Sequence, residues 1–402
     1  MFNLKSIFNF KIFKSVIVIV AFTVLLALRA LFLPKLNIKE GQQVRITGVL
    51  TNEPQVSGNR QSFNLGQIEI WTEKFPEYHY GDQLAITGRI KLTYLLINPK
   101  IEVLNGGSGL GSQVLRIRND LRLLYQKFFP SPFDGLLSGI VLGDKSLIPF
   151  DTWQKLKATG TLHIMVASGM NIAMFSGTIL SFFCLFFRRK IAILFLFIMI
   201  WFYAFMTGLQ PPIIRAAIMA SLIYFAQMVG RETEAGRVLW LTGGFMLLIN
   251  PLWLFDIGFQ LSFLATAGLV YLQPKLSKSK FFLFKFESFS SSIASQLATL
   301  PILVTAFGQL NLLSPIINLL ILWTIPFILQ GGILVGIAGL LWQNLGGLIA
   351  YLIYPLLFYL NLVINISAKI NFTQMLMPKI SWMFAVFYYF LLGIVSLKRL
   401  KN

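Results

Sequence analysis

The sequence predicts an α-helical polytopic membrane protein with a small extracytoplasmic OB-like β-barrel domain near its N-terminus. Three observations predict it. The chain of 402 residues is 56% hydrophobic and only 12% charged, whereas a soluble domain carries about 25% charged residues. From residue 161 onward the chain is nearly continuous apolar sequence. Between residues 38 and 104 it switches to short alternating runs separated by turn residues.

The first element is an apolar run at 15–33, preceded by Lys5, Lys11 and Lys14. It is long enough to cross a hydrocarbon core of about 30 Å. No clean small-x-small site follows it, and it exceeds the roughly 7–15 residues of a signal-peptide core. Residues 1–35 are therefore expected to be an uncleaved anchor with a cytoplasmic N-terminus.

Residues 36–105 form the expected β domain. Its strand-like runs are Val44 to Leu50, Phe63 to Trp71 and Leu84 to Lys91, with turn signals at Ser57-Gly58-Asn59 and Gly81-Asp82. Two runs carry a similar phrase, Arg45-Ile46-Thr47-Gly48 and Ala85-Ile86-Thr87-Gly88-Arg89. An OB-type barrel suits this length and pattern; a generic β-sandwich is the alternative.

Residues 106–132 are read as an amphipathic interfacial helix. Val114, Ile117, Leu121, Leu124 and Phe128 recur at helical spacing, and Arg116, Arg118, Arg122 and Lys127 take other positions. Such a helix lies on a membrane surface or packs on the membrane domain; both placements stay open.

Residues 133–402 form the polytopic domain. Spans are expected near 161–187, 190–207, 212–229, 237–249, 255–273, 287–308, 313–341, 343–368 and 380–397. With the anchor this makes about ten segments, some too short or too Pro-interrupted for simple crossings. Starting from an inside N-terminus, the clusters Arg188-Arg189-Lys190, Arg231 with Arg237, Lys275 to Lys280 and Lys398 to Lys401 all fall inside. The β domain then lies outside the cytoplasm, and both termini lie in it.

Composition excludes several functions. Lys and Arg total 34 against 15 Asp and Glu, a net charge of +19. Cytoplasmic loops account for part of that excess, and an anionic partner would account for the rest. The single cysteine, Cys184, permits no intrachain disulfide. His79 and His163 are far apart, and no metallohydrolase pattern is present. Gly139 to Ser146 reads GIVLGDKS, but Asp144 stands where a Walker A loop needs its glycine–lysine step. Neither a metal, a cofactor nor enzymatic activity is expected.

Four polar clusters interrupt the apolar sequence, and polar groups in hydrocarbon face a bundle interior or a wet path. The first runs Gly160 to Asn171 and holds His163, Ser168, Gly169 and Asn171. A Ser–His catalytic pair is disfavoured, because five residues on a helix diverge by about 140°. The second runs Gly208 to Ala217, where Pro211-Pro212 open a helix and Arg215 sits in its first turn. Arg215 either snorkels to the outer interface or contacts a phosphate inside. Its charge needs an offset, from water and lipid phosphate, from Asp256, or from an anionic partner. The third holds Asn250-Pro251, Asp256, Gly258, Gln260 and Gly268. Asp256 either favours a positive helix end or joins Gln260 on a polar face. The fourth runs from Gln296 through Pro301, Asn311, Ser314-Pro315 and Asn318 to Pro326, a proline density that implies broken helices.

In this order, after a small external β domain, these clusters resemble the ComEC competence family of DNA-uptake proteins. The phrases that carry the resemblance are Leu142-Gly143-Asp144, Leu162-His163 with Ala167-Ser168-Gly169, Pro212 to Met219, Phe259-Gln260-Leu261-Ser262-Phe263, and Gln296 to Pro301 with Asn318. It covers roughly residues 35–397. The chain departs from the family at Asn171, where members often carry a second histidine. Many members also carry a metallo-β-lactamase-like nuclease domain, and no such pattern is read here. The resemblance implies an inner-membrane channel for single-stranded DNA in natural transformation, with His163, Ser168, Gly169, Asn171, Arg215, Asp256 and Gln260 in the conduit or its helix-packing network. Arg45, Phe63, Trp71 and Arg89 would contact DNA on the OB-like domain, since such modules use basic and aromatic groups. Implied partners are single-stranded DNA, the lipid bilayer, a separate nuclease, an external DNA receptor and a cytoplasmic helicase-like motor; self-association stays open. The rival readings are a small-solute secondary transporter, a membrane-embedded hydrolase using His163 and Ser168, and an assembly scaffold.

Overall fold

The structure is a computed structural model that describes residues 41–50, 54–57, 60–65, 68–73, 75–76, 78, 82–92, 95–104, 110–165, 168–279, 281–370, 375–376, 383–385 and 387–389. The expected anchor at 15–33 and most of the expected last span lie outside the described residues.

Seven strands form the N-terminal sheet: β1 (Gln43–Val49), β2 (Gln55–Ser57), β3 (Arg60–Leu65), β4 (Ile68–Glu73), β5 (Gln83–Leu92), β6 (Leu95–Ile97) and β7 (Lys100–Val103). Their order is β1-β5-β6-β4-β3-β2, with β7 also paired to β5. The long β5 serves three neighbours. It pairs β1 and β7 antiparallel, then meets β6 after a register shift between Ile90 and Leu92. Such irregularities bend a strand, and the sheet curls into a half-barrel. Alternation fills it: Phe63 and Leu65, Ile68 and Ile70, Leu84 and Ile86 point into one core with Leu50, Ile90 and Leu96.

The remainder is mostly helical. It comprises α1 (Leu110–Phe128), α2 (Phe133–Leu142), α3 (Phe150–Thr159), α4 (Gly169–Cys184), α5 (Arg189–Met206), α6 (Pro211–Val229), α7 (Ala235–Ile249), α8 (Ile257–Tyr271), α9 (Gln273–Leu276), α10 (Glu287–Phe307), α11 (Ser314–Ile321), α12 (Ile325–Leu341) and α13 (Gln343–Ala368). Two short strands, β8 (Gln309–Leu310) and β9 (Met375–Leu376), pair with each other.

Among the described residues, five segments are long and apolar enough to cross a membrane: Leu162–Cys184, Arg189–Met206, Pro211–Val229, Glu287–Ala306 and Gln343–Ala368. The pair α11 and α12, bent by 49°, makes a sixth if taken as one span. This corrects the sequence expectation at two places. The segments expected at 237–249 and 255–273 are helices of 15 residues each. At 1.5 Å per residue each rises about 22 Å, short of a core of about 30 Å. Asn250 and Pro251 cut the two apart, with the Asn250 side chain accepting from the Leu252 amide at 3.1 Å. The many large apolar side chains left exposed, including Phe182, Leu185, Trp201, Phe225, Trp240 and Tyr351, fit a membrane protein.

Two cores hold the bundle. One gathers Leu121 and Tyr125 of α1, Leu136, Leu137 and Ile140 of α2, Ile325, Ile328 and Leu329 of α12, and Leu357 and Leu360 of α13. The other joins α4, α5 and α6 through Ile172, Phe175, Leu196, Ile200, Tyr203, Ile213 and Ala217. The apolar face of α1 lies on the bundle. A Cβ at Gly336 would come within 2.5 Å of Leu121, and one at Gly332 within 2.7 Å of Leu137 and Val141. These two glycines, one turn apart on α12, let α1 and α2 approach its backbone. The Tyr125 hydroxyl donates to the Gly332 carbonyl at 3.0 Å. Arg122 of α1 pairs with buried Asp144 at 3.4 Å, and Asp144 also accepts from the Ser146 amide and hydroxyl at 2.9 and 2.7 Å. Asp144 thus closes the turn after α2 and holds α1.

Candidate functional site: a buried arginine where three polar segments meet

Gln210 stands outside α6 in extended geometry, and Pro211 and Pro212 fill its first positions, where a missing amide hydrogen costs nothing. Arg215 follows in a turn buried all round, with Ile213, Ala216 and Ala217. Its side chain is only 6% exposed, so it does not snorkel outward. Nη1 donates to the Thr266 hydroxyl on α8 and lies 4.0 Å from the Met219 sulfur. Nε is buried with no hydrogen-bond partner. Among the described residues Arg215 makes no ion pair.

The guanidinium ends at the start of α4. A Cβ on Gly169 would lie 2.7 Å from Nη2 and 3.4 Å from the Ala216 side chain, so only glycine admits the arginine there without displacement. Ser168, in extended geometry, caps that helix. Its hydroxyl donates to Asn171 Oδ1 at 3.2 Å, and Asn171 Nδ2 donates to the Ile140 carbonyl of α2 at 3.0 Å. Asn171 is fully buried, with Tyr203 beside it and the Tyr203 ring stacked on Phe175 at 4.7 Å. His163 lies apart, its exposed ring placing Nδ1 3.0 Å from the Gly160 carbonyl. Ser168 and His163 therefore make separate hydrogen bonds, and the structure does not join them as a hydrolase pair.

The fourth cluster meets the first at its other end, at Gly160. Gly160 ends α3 in the left-handed region at φ 71°, and a Cβ there would meet Asn311 at 2.6 Å. Gln296 of α10 donates to the Asn311 carbonyl at 2.7 Å. Asn318 donates to Ser292 at 3.1 Å, and its Oδ1 is buried without a partner. Segments far apart in sequence thus touch in sequence-specific pairs: Gly160 with Asn311, Gly169 with Arg215, Arg215 with Thr266.

Two residues of the third cluster do other work. Asp256 is exposed and caps α8, its Oδ1 accepting from the Phe259 amide at 2.7 Å. It stands ten residues before Thr266, about 15 Å along the helix, and the expected offset of Arg215 by Asp256 is not formed. Gln260 donates to the Leu254 carbonyl at 2.7 Å, closing the turn before α8, and leaves its Oε1 buried without a partner.

On the sheet, Arg45 and Arg89 are exposed on paired strands. Arg45 faces Thr87, and so does Lys100 of β7; Arg89 lies two residues on from Thr87, so all three cations share one face. Glu102 answers one of them, 3.0 Å from Lys100, whose ammonium holds the Glu102 carboxyl below its usual range. Phe63 is corrected: it is 5% exposed and packs edge-on against Tyr78 at 5.7 Å inside the half-barrel, so it cannot stack on a base. Trp71 is half-buried on the opposite parity, and its indole donates to Glu69 at 2.7 Å.

A family model described as Competence protein matches residues 140–402. The chain belongs to the competence protein family. All four polar segments fall inside the match, and the β domain and α1 precede it. Among curated competence relatives, ComE operon protein 3 of Bacillus subtilis is 26% identical over 226 residues, covering 56% of this chain and 29% of that protein. Recombination protein 2 of Haemophilus influenzae is 26% identical over 139 residues, 32% of this chain and 17% of that one. The uncharacterized protein YcaI of Escherichia coli is 24% identical over 212 residues, 50% of this chain and 28% of that one. The chain thus spans less than a third of each of these relatives. No solved structure matches. Within the competence segment, sequence reasoning missed Thr266 as the partner of Arg215. Its one signal was the spacing Ser262–Thr266, two hydroxyls one turn apart in an apolar helix, now bonded at 3.0 Å from Thr266 to the Ser262 carbonyl.

Proposed function

We propose that this chain forms the path by which single-stranded DNA crosses a bacterial inner membrane during natural transformation. The observation that supports this most is the meeting of three polar segments at Arg215, a buried cation with no carboxylate paired to it among the described residues, inside the part matched by the competence family. A polyanion cannot enter hydrocarbon and needs a polar, positively biased route. The shared face of Arg45, Arg89 and Lys100 would guide the strand outside the membrane by backbone contacts. With both termini in the cytoplasm, the half-barrel faces incoming DNA. One strand would be degraded by a separate nuclease, an external receptor would deliver the duplex, and a helicase-like motor would draw the strand inward. The names of two relatives, one from a competence operon and one a recombination protein, agree with this role.

The test is uptake of fluorescently labelled DNA in cells lacking the chain. The expected result is label held outside the cytoplasm and restored entry on re-expression. Normal cytoplasmic entry without the chain would sink the reading. A small-solute transporter would instead leave DNA entry intact and alter the uptake of a solute.

A further inference from the structure

A buried guanidinium carries a full charge that some anion must balance. Among the described residues Arg215 bonds only through Nη1, to Thr266 and, at 4.0 Å, to the Met219 sulfur. The remaining edge, Nε with Nη2, is the side-on fork with which a guanidinium grips two oxygens of one anion. Nε on that edge is buried and unpartnered. The same edge points at the first residue of α4, since Nη2 lies 2.7 Å from a Cβ built on Gly169. A helix of 16 residues starting there adds the amides of Gly169 and Met170 and the positive end of its dipole, while the Asn171 amide is bonded to the Ser168 carbonyl at 3.1 Å. Two positive features converge, and among the described residues no carboxylate pairs with the guanidinium.

We infer that the Nε–Nη2 edge of Arg215 and the first turn of α4 form an anion site that takes a phosphate group, one phosphodiester of a nucleic-acid strand at a time. Gly169 sets its size. Without a side chain at Gly169 the guanidinium reaches the helix end; with one it is pushed away. Thr266 fixes the other end of the guanidinium plane and so aims the fork. The assignment of the phosphate to DNA rests on the proposed function; the anion site itself does not.

The experiment uses the purified full chain in detergent, with inorganic phosphate titrated at constant ionic strength against chloride and the unfolding midpoint as readout. Phosphate should raise the midpoint saturably in the wild type. Gly169→Ala should weaken half-saturation on the order of tenfold, the scale of one lost charge-assisted hydrogen bond. Arg215→Gln should abolish the phosphate-specific shift, and Arg215→Lys should keep a weaker one, since an ammonium is a single point charge. If Arg215→Gln does not accumulate, Gly169→Ala carries the test. No phosphate-specific shift in the wild type, or unchanged half-saturation in Gly169→Ala and Arg215→Gln, overturns the site. Oligothymidylate should compete with phosphate for the wild type. Phospholipid phosphorus that co-purifies with the wild type and is lost from Arg215→Gln would overturn the nucleic-acid assignment in favour of a headgroup. Loss of DNA uptake in Arg215→Gln with phosphate binding intact would overturn the site and leave the conduit standing.

Discussion

Asn171 shows what a polar side chain inside this bundle is for. The last carbonyls of a helix lack intrahelical donors, and Ile140 lies near the end of α2. Asn171 Nδ2 reaches its carbonyl at 3.0 Å, while Oδ1 takes the Ser168 hydroxyl. Asn171→Leu leaves that carbonyl and hydroxyl unsatisfied. It should cost about 1–3 kcal/mol, read as a lower unfolding midpoint in detergent, whereas Ser168→Ala should cost less because Asn171 keeps its bond to Ile140. Equal losses in the two variants would refute this order. That Asn171 mattered was legible, since an amide in an apolar run must find a partner. Its partner was not, because α2 is brought there by the intervening turns. Arg215 repeats the lesson: its burial could be argued from the apolar helix around it, but Gly169 and Thr266 lie on other helices. Phe63 was more legible than its assignment allowed. It shares parity with Leu65, and that parity faces the core.

Among elements, proline and asparagine decide where apolar sequence stops being a span. A continuous apolar reading over 237–273 hides the break at Asn250-Pro251, which leaves α7 and α8 each about one and a half turns short of a crossing. The break between α11 and α12 falls near Pro326 and bends the pair by 49°, as the proline density led one to expect. The GIVLGDKS phrase has a structural meaning that a motif search misses: Gly143 ends α2 in the left-handed region and Asp144 clasps Arg122. Asp144→Ala should destabilise the chain by about 3 kcal/mol, because a nearly buried arginine loses its counterion, and calorimetry or a thermal melt would read it. Gly336→Leu should cost about 1–3 kcal/mol by driving a side chain into Leu121. If the variant melts like the wild type, α1 is not seated on α12 as described.

At the scale of the whole molecule, the order of parts was readable, β domain first and bundle after, because alternation and long apolar runs are different periodicities. Orientation rests on basic loops alone, and it can be tested on a background with Cys184→Ser. A membrane-impermeant thiol reagent should label Glu102→Cys in intact cells and Lys285→Cys only after permeabilisation; the opposite pattern would invert the topology. For the intact chain, binding of a labelled oligothymidylate should weaken with salt at a log–log slope of about −0.7 per phosphate contacted. Combined Arg45→Gln and Arg89→Gln should make that slope shallower, and an unchanged slope would take the strand off this face. α1 follows the sheet in the chain. Its 19 residues rise about 28 Å from the end of the sheet, and they are fastened to the bundle at three levels: Arg122 to Asp144, Tyr125 to the Gly332 carbonyl, and Lys127 to Gln343 at 2.6 Å. A helix tied this way acts as a tendon. On the proposed function, a pull on a strand held by the half-barrel would pass along α1 to α2 and to the glycine seam of α12, and the sheet and the helices would bear it together.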